Sequence, residues 1–349
     1  MTMTKTRRIG HILGWTTLAA GVTTAATVLA VREMLKPGRD FDGKVVAITG
    51  GSRGLGLALA REFGRRGARL ALCARNGAEL ETAKQRLRKV APDCFTQVCD
   101  VSDRAQVEKF LGAVRQHFGP IDVLVNNAGV IQVGPLENQK LEDFEQTMAV
   151  NFWGAVYSTF AVLPEMRRRG SGHIVNISSI GGKVAIPHLL PYSASKFALT
   201  GFSQGLATEL HGSGVKVTTV WPGLMRTGSQ FQAEFKGQHE KEFAWFLLGS
   251  STPLTSMKAE RAASQIVNAT KRGQRELIIG WQAEMLSRIH GALPELTGAA
   301  LAQVNRLLPN ASGTDTGMKK GRDSESLATR NPITASNRFA AKRLNERHG

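Results

Sequence analysis

Val45-Val46-Ala47-Ile48-Thr49-Gly50-Gly51-Ser52-Arg53-Gly54-Leu55-Gly56 is the stretch that decides the fold. An apolar run of strand length leads into glycines spaced G-x-x-x-G-x-G, and a helix-like stretch to Phe63 follows, so the segment reads as strand, turn, helix. Glycine at such a turn lets the backbone reverse sharply, approach a pyrophosphate closely and aim a helix N-terminus at it. The spacing differs from the dinucleotide fingerprint G-x-G-x-x-G, so alone it supports nucleotide binding and no more.

Outward from this turn, short apolar runs at 45–48, 69–73, 95–98, 121–125, 173–177, 215–220 and 276–279 alternate with amphipathic stretches such as 79–90 and 105–118. That alternation calls for a parallel sheet covered on both faces. The expected fold is α/β, a Rossmann-like, doubly wound, parallel seven-stranded sheet with helices on both faces. An N-terminal hydrophobic helix and a C-terminal amphipathic helix are expected outside it.

Far downstream stand Tyr192 and Lys196, spaced Tyr-x-x-x-Lys, with Ser179 thirteen residues before the tyrosine. Reducing a carbonyl requires a proton at oxygen as charge builds there, and a phenol with a pKa of about 10 delivers it only when brought toward neutrality. Four residues apart on one helix, Lys196 shares a face with Tyr192 and is expected to favour phenolate.

Together these motifs resemble the classical branch of the short-chain dehydrogenase/reductase family over residues 44–280. Thr49 to Gly56 is similar to its TGxxxGxG turn, Asn126-Asn127-Ala128-Gly129 to its NNAG segment and Asn151 to its helix asparagine. Ser179, Tyr192 and Lys196 resemble its catalytic set, and Pro222-Gly223 with Thr227 resembles the segment over the nicotinamide. The resemblance implies that Tyr192 is the general acid in reduction and the base in oxidation, and that Ser179 holds the substrate oxygen. It implies that Lys196 also bonds the nicotinamide ribose and that Asn151 holds a water relaying protons to solvent. Cofactor contacts are implied for Thr49, Gly50, Ser52, Arg53, Gly54, Leu55, Gly56, Asp100, Val101, Asn127, Ala128, Gly129, Tyr192, Lys196, Pro222, Gly223 and Thr227. Homodimer or homotetramer formation is a further family expectation. Ser178 adjoins Ser179, but the family's serine-to-tyrosine separation selects Ser179. His173 and His188 are read as structural or substrate-contact residues, because the proton path is complete without them.

Cofactor choice follows from the end of the second strand, where a carboxylate would bond the adenosine-ribose hydroxyls and repel a 2′-phosphate. The chain reads Cys73-Ala74-Arg75-Asn76 there, with no acid and one arginine. Arg53 adds a second cation suited to bidentate phosphate binding. NADP(H) is therefore expected in preference to NAD(H).

The chain has 349 residues, and one doubly wound domain of about 250 residues accounts for its centre. Lys and Arg number 45 against 28 Asp and Glu, a net charge of +17 that favours anionic partners. The basic residues are scattered, without interleaved aromatics or a nucleic-acid module, so no nucleic-acid partner is expected. Three cysteines, Cys73, Cys94 and Cys99, cannot all pair with one another and carry no metal spacing; buried thiols in a reducing compartment, the cytosol, are expected.

Residues 1–8 form a basic N-terminal tail. Residues 9–31 carry no Asp, Glu, Lys or Arg and are long enough to span a bilayer. They read as a membrane-anchoring helix, with a cleaved signal peptide as the rival, and residues 32–43 as a linker to a cytoplasmic catalytic domain at 44–280. Residues 281–309 carry an apolar helical stripe, Leu286, Ile289, Leu293, Leu296, Ala300, Val304 and Leu307, interrupted by Pro294 and expected to dock on the enzyme's own surface or on a second subunit, with membrane contact as the alternative. Residues 310–349 read as a mobile basic tail.

Substrate choice is expected from residues 181–190 and 224–253, the latter holding Phe231, Phe235, Phe243, Trp245, Phe246, Leu247 and Leu248. These either face an apolar carbonyl or alcohol substrate or pack the lid itself. The sequence therefore reads as an NADP(H)-dependent oxidoreductase. Its rival is a catalytically silent cofactor-binding regulatory or scaffold protein of the same fold.

Overall fold

The run at Val45 is apolar on both faces, and both faces are used. Strand β1 (Val45–Thr49) buries all five residues. Val46 and Ile48 join a cluster with Leu57, Phe63 and Ile266, whereas Val45 and Ala47 join another with Phe110, Leu111 and Val114. A strand covered on both sides by helices has this continuous apolar signature.

The computed structural model describes residues 39–252, 255–313, 317–326 and 329–346. The described residues from Phe41 onward make up one compact unit. The membrane-anchoring helix expected at 9–31 lies outside the described residues. Among the described residues, no helix is long and apolar enough to cross a membrane.

All seven expected strands are present. After β1 come β2 (Arg69–Ala74), β3 (Phe95–Val98), β4 (Val123–Asn126), β5 (Gly172–Ile177), β6 (Val215–Pro222) and β7 (Glu276–Ile279). They lie in the order β3-β2-β1-β4-β5-β6-β7, every neighbouring pair parallel. The order reverses direction between β1 and β4, and such a switch opens a crevice beyond the carboxyl ends of those strands. The glycine turn follows β1 into that crevice and continues as helix α1 (Gly54–Arg65). Helices α2 (Gly77–Leu87) and α3 (Arg104–Phe118) connect the next strands. Helix α4 (Leu141–Met148) passes through a π-helical turn, Ala149–Trp153, into α5 (Gly154–Arg169).

Helix α6 (Leu190–Glu209) carries Tyr192 and Lys196, and the face it turns inward is polar: Ser193, Ser195, Lys196, Thr200 and Ser203 are all buried. Each of several buried hydroxyls finds a partner on the sheet. The Ser178 hydroxyl donates to the Lys196 carbonyl at 3.0 Å, the Trp221 indole donates to the Thr200 hydroxyl at 2.9 Å, and the Asn176 amide donates to the Ser203 hydroxyl at 2.9 Å. A satisfied buried network fixes one rotational setting of a helix, whereas an apolar face tolerates several.

A lid covers the crevice. Gln132–Val133, Glu234–Phe235 and Lys319–Lys320 form a small three-stranded sheet, and helix α7 (His239–Gly249) packs beside it. Phe231, Phe235, Phe243 and Leu247 are fully buried within this lid, with Val133 and Ala341. Helix α8 (Ala259–Arg272) then packs on α1, and β7 completes the sheet.

Two expectations for the C-terminal region need correction. The stripe after residue 280 forms two helices, α9 (Trp281–Ala292) and α10 (Pro294–Leu307), because Leu293 leaves helical geometry ahead of Pro294. Its large apolar residues, Trp281, Met285, Ile289, Leu293, Leu296, Val304 and Leu307, are exposed rather than docked on the chain's own described surface. The expected mobile tail is also folded over the residues described. Lys319–Lys320 adds to the lid sheet, and helix α11 (Ala335–Arg343) buries Asn337, Ala340 and Ala341. Composition misled here because the contacts are made by small and polar residues: the Asn337 amide donates to the Ser250 and Ser251 hydroxyls at 3.2 and 3.0 Å, and Arg338 pairs with Glu325 at 3.2 Å.

Candidate active site

A cleft of about 1080 Å³ runs along the carboxyl ends of the strands. Of the site residues expected from sequence, all line it except Thr49 and Asn151, which stand behind it as braces.

At the turn, the Thr49 hydroxyl accepts from the backbone N–H groups of Asn127 and Ala128, each at 3.1 Å. The Asn127 amide in return donates to the carbonyls of Thr49 and Gly50, each at 3.0 Å. The Asn127 to Gly129 segment thus clamps the turn from across the crevice. Gly56 is sterically compelled, since a Cβ there would stand 2.1 Å from the Gly50 carbonyl oxygen. Asp100 is held by Ser102, whose backbone N–H and hydroxyl donate to its carboxylate at 3.0 and 2.8 Å. Arg75 lines the cleft at the end of β2. Arg53 is already engaged: its guanidinium meets Glu79 at 3.0 Å and Glu346 at 3.2 Å.

At the other end, Lys196 is 4% exposed and its ammonium donates to the Ile177 carbonyl at 2.9 Å. Burial lowers its pKa to about 8. Asn151 sits in the π-helical turn, a feature frequent at functional sites. Its amide oxygen accepts from the Val130 N–H at 2.8 Å, and its amide nitrogen donates to the Val130 carbonyl at 3.0 Å and the Ser195 hydroxyl at 2.9 Å.

Tyr192 is shifted by its own surroundings. Burial pushes the Tyr192 phenol above its ordinary value, and a hydrogen bond with Ser179 pulls it part of the way back. The Lys196 ammonium donates to the Ile177 carbonyl and stands 5.8 Å from the centre of the phenol ring.

Beyond Tyr192 the cleft is lined by Ile131, Ile186, Leu189, Trp245, Phe246 and Leu286. The lid aromatics therefore divide: Trp245 and Phe246 face the cleft, while Phe231, Phe235 and Phe243 pack the lid. His188 binds the Glu242 carboxylate through Nδ1 at 2.8 Å, and the Trp245 indole donates to the same carboxylate at 2.7 Å. This buried cluster ties the loop before α6 to the lid. His173 lies on β5, away from the cleft, with its Nε2 2.8 Å from the Thr218 hydroxyl; burial lowers its pKa to about 4.

A family model described as short chain dehydrogenase matches residues 44–236. The chain belongs to this family. As a short-chain dehydrogenase it is 35% identical over 258 residues to SadH of Mycobacterium tuberculosis, a match covering 72% of this chain and 92% of that protein. It is 33% identical over 291 residues to a dehydrogenase/reductase SDR family protein 7-like of Anopheles gambiae, covering 78% and 88%. Among solved structures, a short-chain dehydrogenase from Streptomyces avermitilis superposes with a TM-score of 0.65 at 32% identity, covering 75% of this chain and 97% of that one.

Sequence reasoning missed Glu79, Glu346 and Val130 as cleft-side residues. Glu79 carried a usable signal: Asn76 caps α2 by accepting from the backbone N–H groups of Ala78 and Glu79 at 2.9 and 3.1 Å, which places Glu79 in the first helical turn and facing the glycine turn. Glu346 carried none, because its position depends on the fold of the whole C-terminal segment.

Proposed function

We propose that this short-chain dehydrogenase is an NADP(H)-dependent enzyme that interconverts a carbonyl and an alcohol on an apolar small molecule, with reduction as the favoured direction. The observation that carries the reading is the meeting of Ser179, Tyr192 and Lys196 in the same cleft as the glycine turn. The cleft suits a dinucleotide: the turn ends at a helix N-terminus, Gly56 leaves no side chain in the way, and Arg75 and Arg53 are cations beside it. Bound NADPH supplies a hydride to the substrate carbon.

In this reading Ser179 and Tyr192 hold the substrate oxygen, and Tyr192 gives it a proton in reduction or takes one in oxidation. Lys196, whose pKa of about 8 lets it hold a proton loosely near neutral pH, refills the phenol. Asn151 fixes the backbone at Val130 beside this path. The apolar wall from Ile131 to Trp245 and Phe246 favours a lipophilic substrate over a polar one. Thr227, Pro222 and Gly223 close the cleft from the β6 side.

The reading includes a homodimer or homotetramer and a membrane-associated, cytoplasmic enzyme. Trp153, Phe160 and Phe197, exposed on α5, α6 and the turn before α5, support a subunit contact. The exposed apolar residues of α9 and α10, with residues 9–31, support the membrane surface. The test is NADPH and NADH oxidation followed at 340 nm across apolar ketones and aldehydes. Turnover favouring NADPH is expected; tight NADPH binding without turnover on any of them would favour the silent regulatory reading.

A further inference from the structure

Helix α11 ends on the glycine turn. Gly228, at φ 86°, receives it: a Cβ there would stand 2.4 Å from the Ala341 Cα. Leu344, 2% exposed, joins the core cluster that contains Leu55 and Val220. The Arg86 guanidinium donates to the carbonyls of Lys342 and Arg343, and Arg343 pairs with Glu260 at 2.5 Å.

The next three residues lie on groups that a dinucleotide phosphate would use. The Gly54 N–H, first of α1, donates to the Leu344 carbonyl at 2.8 Å. Asn345, in the left-handed region at φ 62°, donates through its side-chain amide to the carbonyls of Ser52 and Glu79, each at 3.1 Å. The Glu346 carboxylate, 4% exposed, stands 3.2 Å from Arg53 Nε. It also fills the space left by the absent side chain of Gly54, where a Cβ would be 2.5 Å from its Oε1. A helix N-terminus, a glycine gap and an arginine together form an anion site, and the anion in it is the chain's own.

We propose that residues 344–346 are an internal competitor of the cofactor: they close the glycine turn, and NADP(H) binds when they lift. This rests on the nucleotide reading of the cleft given above. A competitor must be displaceable, and this one is held beyond Leu344 by a few hydrogen bonds and one ion pair. Its carboxylate is also poorly hosted, since burial raises the Glu346 pKa to about 7, with Glu79 adding to the rise and Arg53 opposing it. Closure weakens apparent cofactor affinity by the fraction of molecules that are open, so a tenfold preference for the closed form costs about tenfold in Kd.

The test compares the full chain with Asn345→Asp, which removes both donors while keeping a residue tolerant of the left-handed conformation, and with a chain ending at Arg343. NADPH binding is titrated by fluorescence, and hydrogen exchange at residues 335–346 is followed with and without NADPH. Both variants are expected to bind NADPH about tenfold more tightly, and NADPH is expected to speed exchange in that segment of the full chain. Equal binding by all three forms with an unmoved segment overturns this proposal alone. Failure of every form to bind NADPH or NADH, the shortened chain included, overturns the reading of the cleft and this proposal with it.

Discussion

At the proton end of the cleft, Tyr192 and Lys196 stand one turn apart on α6, and the network that sets this helix, from Ser178 to Thr200 and from Asn176 to Ser203, is formed with neighbouring strands of the sheet. At the phosphate end, Ser52 is bonded by Asn345, 293 residues away in the chain, and Arg53 is shared by Glu79 and Glu346. One end is a local device seated on the sheet. The other is a local device with a distant segment laid over it. In the proposed reading, chemistry and binding are thereby under separate structural control, and substitutions at the two ends should separate turnover from affinity.

The largest effect belongs to the proton end. Tyr192→Phe keeps the ring and removes the proton donor, so kcat should fall by about 10²- to 10⁴-fold while NADPH affinity stays within twofold of the parent. Steady-state turnover paired with a fluorescence titration of NADPH checks both halves. Substantial retained turnover would remove Tyr192 from the chemistry.

Next comes Lys196, where the consequence is a pH dependence of stability. The folded state holds its pKa at about 8, below the ordinary 10.5. Between these values the unfolded chain binds a proton that the folded chain has released, so stability rises with pH across that window. Below pH 8 both states are protonated and the cost of burying the charge is fully present, about 3 kcal/mol by the size of the shift. Lys196→Met should abolish that rise and turnover alike. Urea unfolding at pH 7.5 and pH 10, compared between the two proteins, measures it; an identical pH slope in both would mean that the buried ammonium is not the titrating group.

Arg53→Ala moves the comparison to the phosphate end. Loss of a charged contact to phosphate is worth about 1.5 to 3 kcal/mol, so the preference for NADPH over NADH should shrink by about tenfold or more, with kcat for a saturating cofactor little changed. Dissociation constants for the two cofactors decide the matter. An unchanged preference would leave Arg75 alone to supply it.

How far each end was legible from sequence follows from the same contrast. The seven strands were readable because each is a short apolar run buried on two faces, as at Val45–Thr49. The meeting of the candidate site residues in one cleft was readable because Thr49 to Gly56 and Tyr192 to Lys196 are local spacings whose geometry a turn or one helix sets. Three things were hidden. The direction in which Lys196 points depends on the Ile177 carbonyl, 19 positions earlier. The division of the lid aromatics depends on a strand pairing between Lys319–Lys320 and Glu234–Phe235. The folded C-terminal segment carries the polar, basic composition of a solvated tail, and its seats, Gly228 and Gly54, give no sign in the sequence of what fills them.

The smallest effect discriminates most finely between the two anions at Arg53. Glu79 is 5% exposed; its carboxylate accepts from the Ser52 hydroxyl at 3.2 Å as well as from Arg53. It stands on α2, so it remains beside Arg53 when residues 344–346 lift. A carboxylate that stays in place opposes a 2′-phosphate, and one that leaves does not. Glu79→Gln keeps the shape and a hydrogen-bonding partner for Ser52 while removing the fixed negative charge, and it should raise the NADPH over NADH preference by about threefold, less than about 1 kcal/mol, because Arg53 beside it already offsets most of that charge. The measurement is the ratio of the two dissociation constants in the full chain and in the chain ending at Arg343. The same threefold gain in both backgrounds means that Glu79 acts on the phosphate directly. A gain in affinity for both cofactors alike, seen only in the full chain and with the ratio unmoved, means that Glu79 acts by steadying the docked segment, which would make the fixed and the displaceable carboxylate parts of one closure.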